Sequence, residues 1–333
     1  MSWDVQYRRG LWLPQTGWWL DAQASVDRSF VSHAHSDHIA AHREIICSAA
    51  TARLMRARLP GKRTEHVLQF GQPEALTADT TVTLHPAGHI LGSAQCLLAH
   101  ERHGTLLYTG DFRLRAGGPA EPCAFPRADL LIMETTFGLP RYVFPPAEQV
   151  MAAIAGFCRE ALADDVIPVL CAYSLGKSQE LLLGLAAAQL PVMLQPQIFK
   201  MTRIHEELGV AFPAYQLLEV GSVAGNVVIC PPFSPCSEFF NALPRCRIAA
   251  ITGWALDPGA EYRYQCDAVF PLSDHADFPD LLAFVDRVQP RLVYTVHGFA
   301  QEFSRTLRAR GVEAWALGAG NQLELGLADD QTR

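Results

Sequence analysis

The 333-residue chain has no apolar run long enough to cross a membrane as a helix, which takes about 18 residues. The nearest approach, residues 181–194, is interrupted by Gln189 and Pro191. The N-terminus has no basic stretch followed by an apolar core, so we expect no signal peptide. These absences predict a soluble protein of the cytoplasm without a membrane partner.

The nine cysteines are an odd number and form no C-x-x-C pair. Cys230 and Cys236 flank a Pro-Pro-Phe-Ser-Pro segment and could approach each other, but free buried thiols are the favoured interpretation. Four others lie in apolar segments, as small core residues do: Cys47, Cys96, Cys158 and Cys171. This usage is typical of a reducing compartment.

An excess of positive charge is absent too. The net charge of −7 argues mildly against a nucleic-acid partner, because proteins that bind polyanions usually carry a basic face. Basic residues do cluster locally, at positions 8–9, 53–63 and 113–115. A solvated helix face explains the largest of these groups equally well.

Residues 33–38, by contrast, place four potential metal ligands in one short turn: His33, His35, Asp37 and His38. The segment before it is typical of the end of a buried strand, and Ile39 begins a helical pattern. We therefore predict a strand-to-helix turn that points the four side chains into one cleft. Imidazole and carboxylate together suit zinc, manganese or iron rather than calcium. The alternative, a histidine-rich surface turn, is disfavoured by the density of ligand-type residues.

Three further potential ligands, His89, Asp111 and His297, each follow a short apolar run and lie beside a glycine. Loops at the ends of strands are where α/β folds place chemistry. Each histidine alone could equally be a structural residue. As a set with the turn at 33–38, they predict a metal site.

This ordered pattern resembles the metallo-β-lactamase superfamily. The chain also has Glu-Thr-Thr-Phe-Gly at 134–138, Ser-Asp-His-Ala-Asp at 273–277 and Val-His-Gly at 296–298. These segments are similar to three further motifs of the β-CASP nucleases, which include mRNA 3′-end-processing endonucleases, bacterial ribonuclease J and DNA cross-link repair nucleases. The compact length most resembles the bacterial ligase-associated DNA damage response exonucleases. The resemblance spans about residues 20–300.

The resemblance implies two divalent metal ions, with zinc as the first choice and manganese as the second. It assigns one ion to His33, His35 and His89, the other to Asp37, His38 and His297, and a bridging position to Asp111. Asp21 matches the family's first acidic position and would order the ligand loop, although a plain turn aspartate is an equally good interpretation. Two bound cations would add about four positive charges where a scissile phosphate sits, which offsets the negative net charge.

The resemblance also implies the catalytic groups. Asp37 and Asp111 belong to them as ligands, because bound divalent ions lower the pKa of an attacking water. His275 is the expected general acid for an O3′ leaving group, and Glu134 is expected to fix its tautomer. The expected products carry a 5′-phosphate and a 3′-hydroxyl. For Glu134, a carboxylate that caps the next turn stays an alternative.

The expected fold class is α/β, a metallo-β-lactamase αββα sandwich interrupted by a small parallel α/β (β-CASP) domain. The sandwich would take residues 1–143 and 266–333, and the insert 144–265. Sequence patterns predict helices at 48–59, 146–164, 178–189, 198–208, 278–288 and 300–310. They predict strands at 166–172, 191–194, 226–230 and 291–296, followed by a terminal strand.

Residues 174–178 follow a predicted strand and open a helix, a geometry that binds anions. The first glycine of a P-loop is missing at the required spacing, so nucleotide hydrolysis is not expected. By resemblance, Ser174, Gly176, Lys177 and Ser178 would contact the phosphate backbone of the substrate. An ordinary helix start with Ser178 near its N-cap is equally open.

Three functions compete. The first is a DNA-cleaving exonuclease of repair, with a DNA ligase and a helicase of the pathway as partners implied by resemblance. The second is the same chemistry on RNA, since a histidine at the position of His297 is common in RNA-cleaving members. The third is a non-catalytic scaffold that binds nucleic acid, which the complete ligand set disfavours. A small-ester or thioester hydrolase is disfavoured by the insert and by His275.

Overall fold

The structure, a computed structural model, describes residues 3–232 and 242–318 and divides into two compact units. One, which we call the two-sheet unit, comprises the described residues of Met1–Ala116, Glu121–Tyr142 and His275–Arg333. The other, the α/β unit, comprises Gly117–Ala120 and the described residues of Val143–Asp274. Within the described ranges, no helix is both long enough and apolar enough to span a bilayer.

The first part of the two-sheet unit is mostly strands. They are β1 Gln6–Tyr7, β2 Leu11–Leu13, β3 Trp18–Leu20, β4 Arg28–Phe30, β5 Glu44–Cys47, β6 Thr64–Val67, β7 Pro73–Ala75, β8 Thr80–Pro86, β9 Ala94–His100, β10 Gly104–Tyr108 and β11 Leu130–Glu134. Helix α1, Ala49–Arg58, lies between β5 and β6. It begins after Ser48, whose hydroxyl accepts a hydrogen bond from the Thr51 backbone N–H at 3.1 Å, as an N-cap does.

The α/β unit alternates helices and strands along the chain. Its elements are α2 Ala147–Ala163, β12 Ile167–Cys171, α3 Lys177–Gly184, β13 Val192–Leu194, α4 Pro196–Glu207, β14 Gln216–Leu217, β15 Val227–Cys230, β16 Cys246–Ile251, α5 Ala260–Tyr264 and β17 Ala268–Phe270. The strands pair in parallel in the order β14-β13-β15-β12-β16-β17. Apolar side chains of α2, α3 and α4 pack on this sheet, so the unit has its own core.

The chain then re-enters the two-sheet unit with α6 Phe278–Val288, β18 Leu292–Val296, α7 Ala300–Ala309 and β19 Ala314–Ala316. The first sheet follows chain order from β1 to β6, and the second has the order β19-β18-β11-β10-β9-β8-β7. Strands β10, β11, β18 and β19 are parallel neighbours, so their carboxyl ends lie at one edge. The predicted ligands Asp111 and His297 follow two of these ends.

Strand β10 shows how the second sheet is covered on both faces. Leu106 and Tyr108 point into the core between the two sheets, whereas Leu107 points to the opposite face, where Phe284 of α6 and Phe303 of α7 pack. Alternate residues of a strand face opposite sides, so an apolar run of this kind is buried on both. The layers confirm the expected α/β fold class with stacked sheets and a separate parallel α/β unit.

The helix predicted to begin at Ile39 is wrong. The chain runs through a turn and an irregular segment into β5, which pairs in parallel with β4. The Arg43 backbone N–H donates to the Val26 carbonyl at 3.2 Å, and the Val26 N–H donates to His42 Nδ1 at 3.3 Å. Because these groups bond across the loop, residues 39–43 do not form the i to i−4 bonds of a helix.

The other predicted helices and strands are present, with ends that differ mostly by one or two residues. The largest difference is in α3, which was expected to reach position 189 but ends at Gly184, before a 3₁₀ turn at Ala186–Ala188. Glycine has low helix propensity, which accounts for a stop there.

The four cysteines expected in the core are buried, and they are free thiols. Burial raises the pKa of the Cys47 thiol to about 12. Cys230 Sγ lies 3.8 Å from Cys171 Sγ. Cys236 lies outside the described residues.

Candidate metal centre

The ligand loop, residues 33–38, is held by one buried carboxylate, that of Asp21. Its Oδ1 accepts a hydrogen bond from the Ser32 backbone N–H at 2.7 Å, and its Oδ2 accepts one from the Ser32 hydroxyl at 2.5 Å. Tyr108 donates its hydroxyl to the same Oδ2 at 2.9 Å, and His38 Nδ1 lies 2.8 Å from it. These contacts favour the loop-ordering role of Asp21 over that of a plain turn aspartate.

His38 is oriented by carboxylates on both sides of its ring. With Nδ1 against Asp21, Nε2 faces Asp111 Oδ2 at 3.3 Å. Burial alone would lower the pKa of His38, but the charges of Asp111 and Asp21 outweigh it and raise that pKa well above its ordinary value. A carboxylate that fixes one ring nitrogen in this way directs the other toward a site.

The densest group of donors is formed by His33, His35, His89 and Asp111, whose donor atoms all lie within 4.8 Å of one another. His89 Nε2 is 3.1 Å from His35 Nδ1, and His33 Nε2 is 3.6 Å from Asp111 Oδ2. Burial, followed by the neighbouring imidazoles, holds the pKa of His33 well below its ordinary value, so its ring is neutral and can offer a lone pair.

His33 supplies a test of whether these residues fit a metal ion. Its Nε2 is buried and has no hydrogen-bond partner. A buried polar atom without a partner is costly unless an ion or water satisfies it. Here that atom faces a carboxylate and two imidazoles, which is the donor chemistry of a zinc or manganese site. The residues present therefore fit a divalent cation.

Asp111 reaches the donor group because Gly110 precedes it. Gly110 has φ +56°, and a Cβ at this position would lie 2.5 Å from Ser32 Cβ. Only glycine lets the chain turn against the ligand loop at this distance. Burial would raise the pKa of Asp111, but His38, His275 and His33 outweigh it and hold that pKa well below its usual range.

Asp37 and His297, predicted for the second ion, lie beside this group without entering it. Asp37 Oδ2 is 3.7 Å from His38 Nε2, and its side chain is 70% exposed. The His297 ring centroid is 6.0 Å from that of His38. His297 has φ +59°, a conformation rare for residues other than glycine and concentrated at functional sites. The second set of predicted ligands is thus the more open.

His275 and Glu134, the predicted acid and its partner, lie next to each other. His275 Nδ1 is 2.8 Å from Glu134 Oε1, which also accepts a hydrogen bond from the Phe112 N–H at 3.0 Å. Glu134 Oε2 accepts one from the Thr136 N–H at 3.2 Å, so the carboxylate caps the next turn as well. Oε1 faces the imidazole and Oε2 faces the turn, so both predicted roles of Glu134 stay open. The His275 ring lies 4.7 Å from that of His89.

The segment at 174–178 forms the start of α3 within the α/β unit. Gly176 is the N-cap residue, and its N–H donates to Gln179 Oε1 at 2.7 Å. Ser178 donates its hydroxyl to the Tyr173 carbonyl at 2.7 Å. Lys177 is buried, with Nζ 3.0 Å from Asp274 Oδ1. Protein groups thus engage Lys177 and Ser178, and the contacts predicted between this segment and a phosphate backbone stay a prediction.

Lys177→Ala separates the two roles of this lysine. If the ion pair with Asp274 is its main role, the variant is expected to lose on the order of 3 kcal/mol of unfolding free energy, since breaking a buried pair leaves a charge behind. The salt dependence of strand binding would then be unchanged. A slope of log Kd against log salt that falls by about one would support the phosphate contact instead. Lys62→Ala, at an exposed position, is the matched control.

Tyr108 is a site residue that sequence reasoning missed. It is the last residue of an apolar strand, a position that predicts a core residue. The side chain is indeed fully buried. The available signal was the phenolic hydroxyl at the end of that strand, three residues before Asp111. Its partner Asp21 lies 87 residues away in sequence, so only the fold connects them.

Comparison with known proteins gives a consistent set of relatives. Residues 263–317 match the family described as RMMBL, the Zn-dependent metallo-hydrolase RNA specificity domain. The chain is 66% identical to a probable DNA ligase of Opitutus terrae, over 98% of this chain and 32% of that protein. It is 30% identical to the 5′ exonuclease Apollo of Gallus gallus, over 78% of this chain and 56% of that protein.

A transcription termination factor, FttA of Methanococcus maripaludis, is 32% identical over 44% of this chain and 24% of its own length. The chain thus spans from about a quarter to just over half of these relatives. Among solved structures, a protein of unknown function from Enterococcus faecalis V583 aligns with a TM-score of 0.59 at 15% identity, covering 88% of this chain and 80% of that one. That likeness supports the fold alone.

Proposed function

The chain belongs to the β-CASP nuclease branch of the metallo-β-lactamase superfamily, and from that premise we propose that it is a metal-dependent nuclease that cleaves DNA. The observation that carries the proposal is the position of His275. It is held by Glu134 at 2.8 Å, and its ring lies 4.7 Å from that of His89 in the donor group. A proton donor beside metal ligands is what hydrolysis of a phosphodiester with a sugar leaving group requires.

The proposed metal site holds two divalent ions, zinc before manganese. The ligands would be His33, His35 and His89 for one ion, Asp37, His38 and His297 for the other, and Asp111 for both. Bound divalent ions would lower the pKa of a water and stabilise negative charge on the phosphoryl oxygens. The unpartnered Nε2 of His33 supports the first site more strongly than any contact supports the second.

The chain's own groups position ligands and move one proton. Asp21, supported by the Tyr108 hydroxyl, keeps the His38 ring turned so that Nε2 faces Asp111. Glu134 would accept a hydrogen bond from His275 Nδ1–H and stabilise the protonated ring, whose Nε2–H would then be donated to the leaving O3′. The departing alkoxide is very basic and needs this proton. The products would be a 5′-phosphate and a 3′-hydroxyl.

DNA is the favoured substrate, with exonucleolytic cleavage in repair as the favoured mode. A relative named 5′ exonuclease and a 66% identical relative named probable DNA ligase support it. Because that second relative is about three times as long as the part matched, we propose a DNA ligase of the same pathway as a partner. A helicase partner rests on the resemblance alone.

RNA is the second candidate substrate, favoured by one observation: residues 263–317 match a family described as an RNA specificity domain. A matched experiment separates the two. DNA and RNA strands of one sequence, labelled at either end, are incubated with the protein and zinc, manganese or magnesium. We expect stepwise shortening of the DNA that chelation abolishes. Faster loss of the RNA would reverse the substrate assignment, and no cleavage of either would overturn the nuclease proposal.

Metal content provides an independent test. Elemental analysis of protein purified without chelator is expected to find up to two transition-metal ions per chain, and His33→Ala is expected to lose at least one. His66→Ala, on β6 outside the donor group, is the matched control and should keep both. A metal-soaked crystal in which His33, His35 and His89 point away from a common centre would contradict the assignment.

A further inference from the structure

Arg141 in the two-sheet unit is an exposed arginine seated on an aromatic platform. Its Cζ lies 4.7 Å from the centroid of the Tyr142 ring and 5.7 Å from that of Phe299. The two rings stack at 5.6 Å with an angle of 30° between their planes. Arg141 Nη2 also donates to the Tyr142 hydroxyl at 2.7 Å. Cation–π contacts of this kind fix where a guanidinium lies.

The two rings of the platform, Tyr142 and Phe299, belong to residues whose backbones are hydrogen-bonded to neighbouring elements. Tyr142 is fully buried, and its carbonyl accepts a hydrogen bond from the Phe278 N–H at 3.0 Å at the start of α6. The Phe299 N–H donates to the Thr135 carbonyl at 2.9 Å, just after β11. An arginine held by such a base loses little conformational entropy when it binds a ligand.

A chain of aromatic contacts connects Arg141 to the proposed site. The Phe137 ring lies 5.1 Å from the Tyr142 ring on one side and 6.0 Å from the His275 ring on the other. Phe299 follows His297 by two residues. The cation–π contact and the two ring contacts limit the distance from the guanidinium to the His275 ring to at most roughly 16 Å, the length of about five nucleotides of one strand at roughly 3.4 Å each.

We propose that Arg141 binds a non-scissile phosphate of the nucleic-acid strand, an inference that rests on the proposed nuclease function. The planar guanidinium matches phosphate geometry and is always charged. The net charge of −7 makes a positioned cation near the site the more useful, because a strand has to be held against that charge.

The test compares Arg141→Ala with Arg141→Lys and with the control Arg310→Ala, at an exposed position paired with Asp286. For a DNA strand, Arg141→Ala is expected to raise Kd and KM about tenfold, to leave kcat within about twofold, and to reduce the salt slope of log Kd by about one. Arg141→Lys should recover part of the affinity. Hydrolysis of a nitrophenyl phosphodiester, which has no second phosphate, should be unchanged.

The outcomes distinguish this inference from the function it rests on. Wild-type protein that neither binds nor cleaves strands would overturn both. Wild-type protein that cleaves while Arg141→Ala keeps the same Kd, KM and salt slope would overturn the Arg141 assignment alone. An equal loss on the strand and on the nitrophenyl ester, or a lower melting temperature with an unchanged salt slope, would mean that Arg141 only supports the fold.

Discussion

Asp111→Ala is expected to abolish phosphodiester hydrolysis while leaving the fold intact. The residue lies after β10, where it faces His38 Nε2 at 3.3 Å and His33 Nε2 at 3.6 Å. It is thus the one carboxylate in the densest donor group, His33, His35, His89 and Asp111, among the residues described. If it is the ligand that both ions share, its removal affects both at once.

The size of the loss decides whether Asp111 has that role. A variant that keeps more than about a tenth of wild-type kcat has lost under roughly 1.4 kcal/mol of transition-state stabilisation, too little for a shared ligand. Asp111→Asn keeps the shape of the side chain but removes its charge, and it is expected to be almost as inactive as Asp111→Ala. Circular dichroism and metal analysis of each variant show whether the chain still folds and what it still binds. Asp79→Ala, at a half-buried carboxylate of the same unit that pairs with His100 outside the donor group, is the control.

The donor group could be proposed from the sequence because each candidate ligand follows a short apolar run and lies in or beside a turn, and its role as a metal site stays a prediction. Gly110 allows Asp111 to approach the ligand loop, since a Cβ at position 110 would collide with Ser32. The carboxyl ends of parallel strands meet at one edge of a sheet. Residues as far apart in sequence as Asp111 and His297 could therefore be assigned to one site from the sequence alone.

The sequence failed where contacts between distant segments decide the outcome. The apolar residues from Ile39 onward suggested a helix, but hydrogen bonds of Arg43 and His42 with Val26 hold that segment in an irregular path. Lys177 lies buried with its Nζ 3.0 Å from Asp274 Oδ1, a pairing that its position after a glycine did not indicate, while its predicted phosphate contact stays a prediction. Neither partner lies close in sequence, so local pattern could not reveal them.

The same limit explains the residues that sequence analysis did not single out. Tyr108 fits the side-chain alternation of a buried strand. Its hydroxyl has a role at the site only because the fold brings Asp21 within hydrogen-bond distance. Arg141 lies in a loop with no ligand-type residues next to it in sequence. Its aromatic platform includes Phe299, which comes from a distant part of the chain. Supporting groups of this kind orient a site as much as its ligands do.

His275→Ala is expected to cost about 10²–10⁴-fold in the rate of strand cleavage, the usual range for a lost general acid. The reason is the contact of 2.8 Å between His275 Nδ1 and Glu134 Oε1, which supports a protonated ring whose Nε2–H would protonate O3′. Glu134→Gln keeps the shape but weakens the support for a charged imidazole, so a smaller loss in the same direction is expected.

Two measurements on His275→Ala distinguish proton donation from metal binding. The donor atoms of Asp111, Glu134 and His275 lie within 4.8 Å of one another, so His275 is close enough to serve as a ligand. A nitrophenyl phosphodiester has a leaving group that needs no proton, and a variant that lacks only the acid should cleave it almost normally with its metal content intact. Equal losses on both substrates, or a missing metal ion, would make His275 a ligand or a structural residue. A large loss on the strand alone would identify His275 as the proton donor, because only the strand has a leaving oxygen that requires a proton.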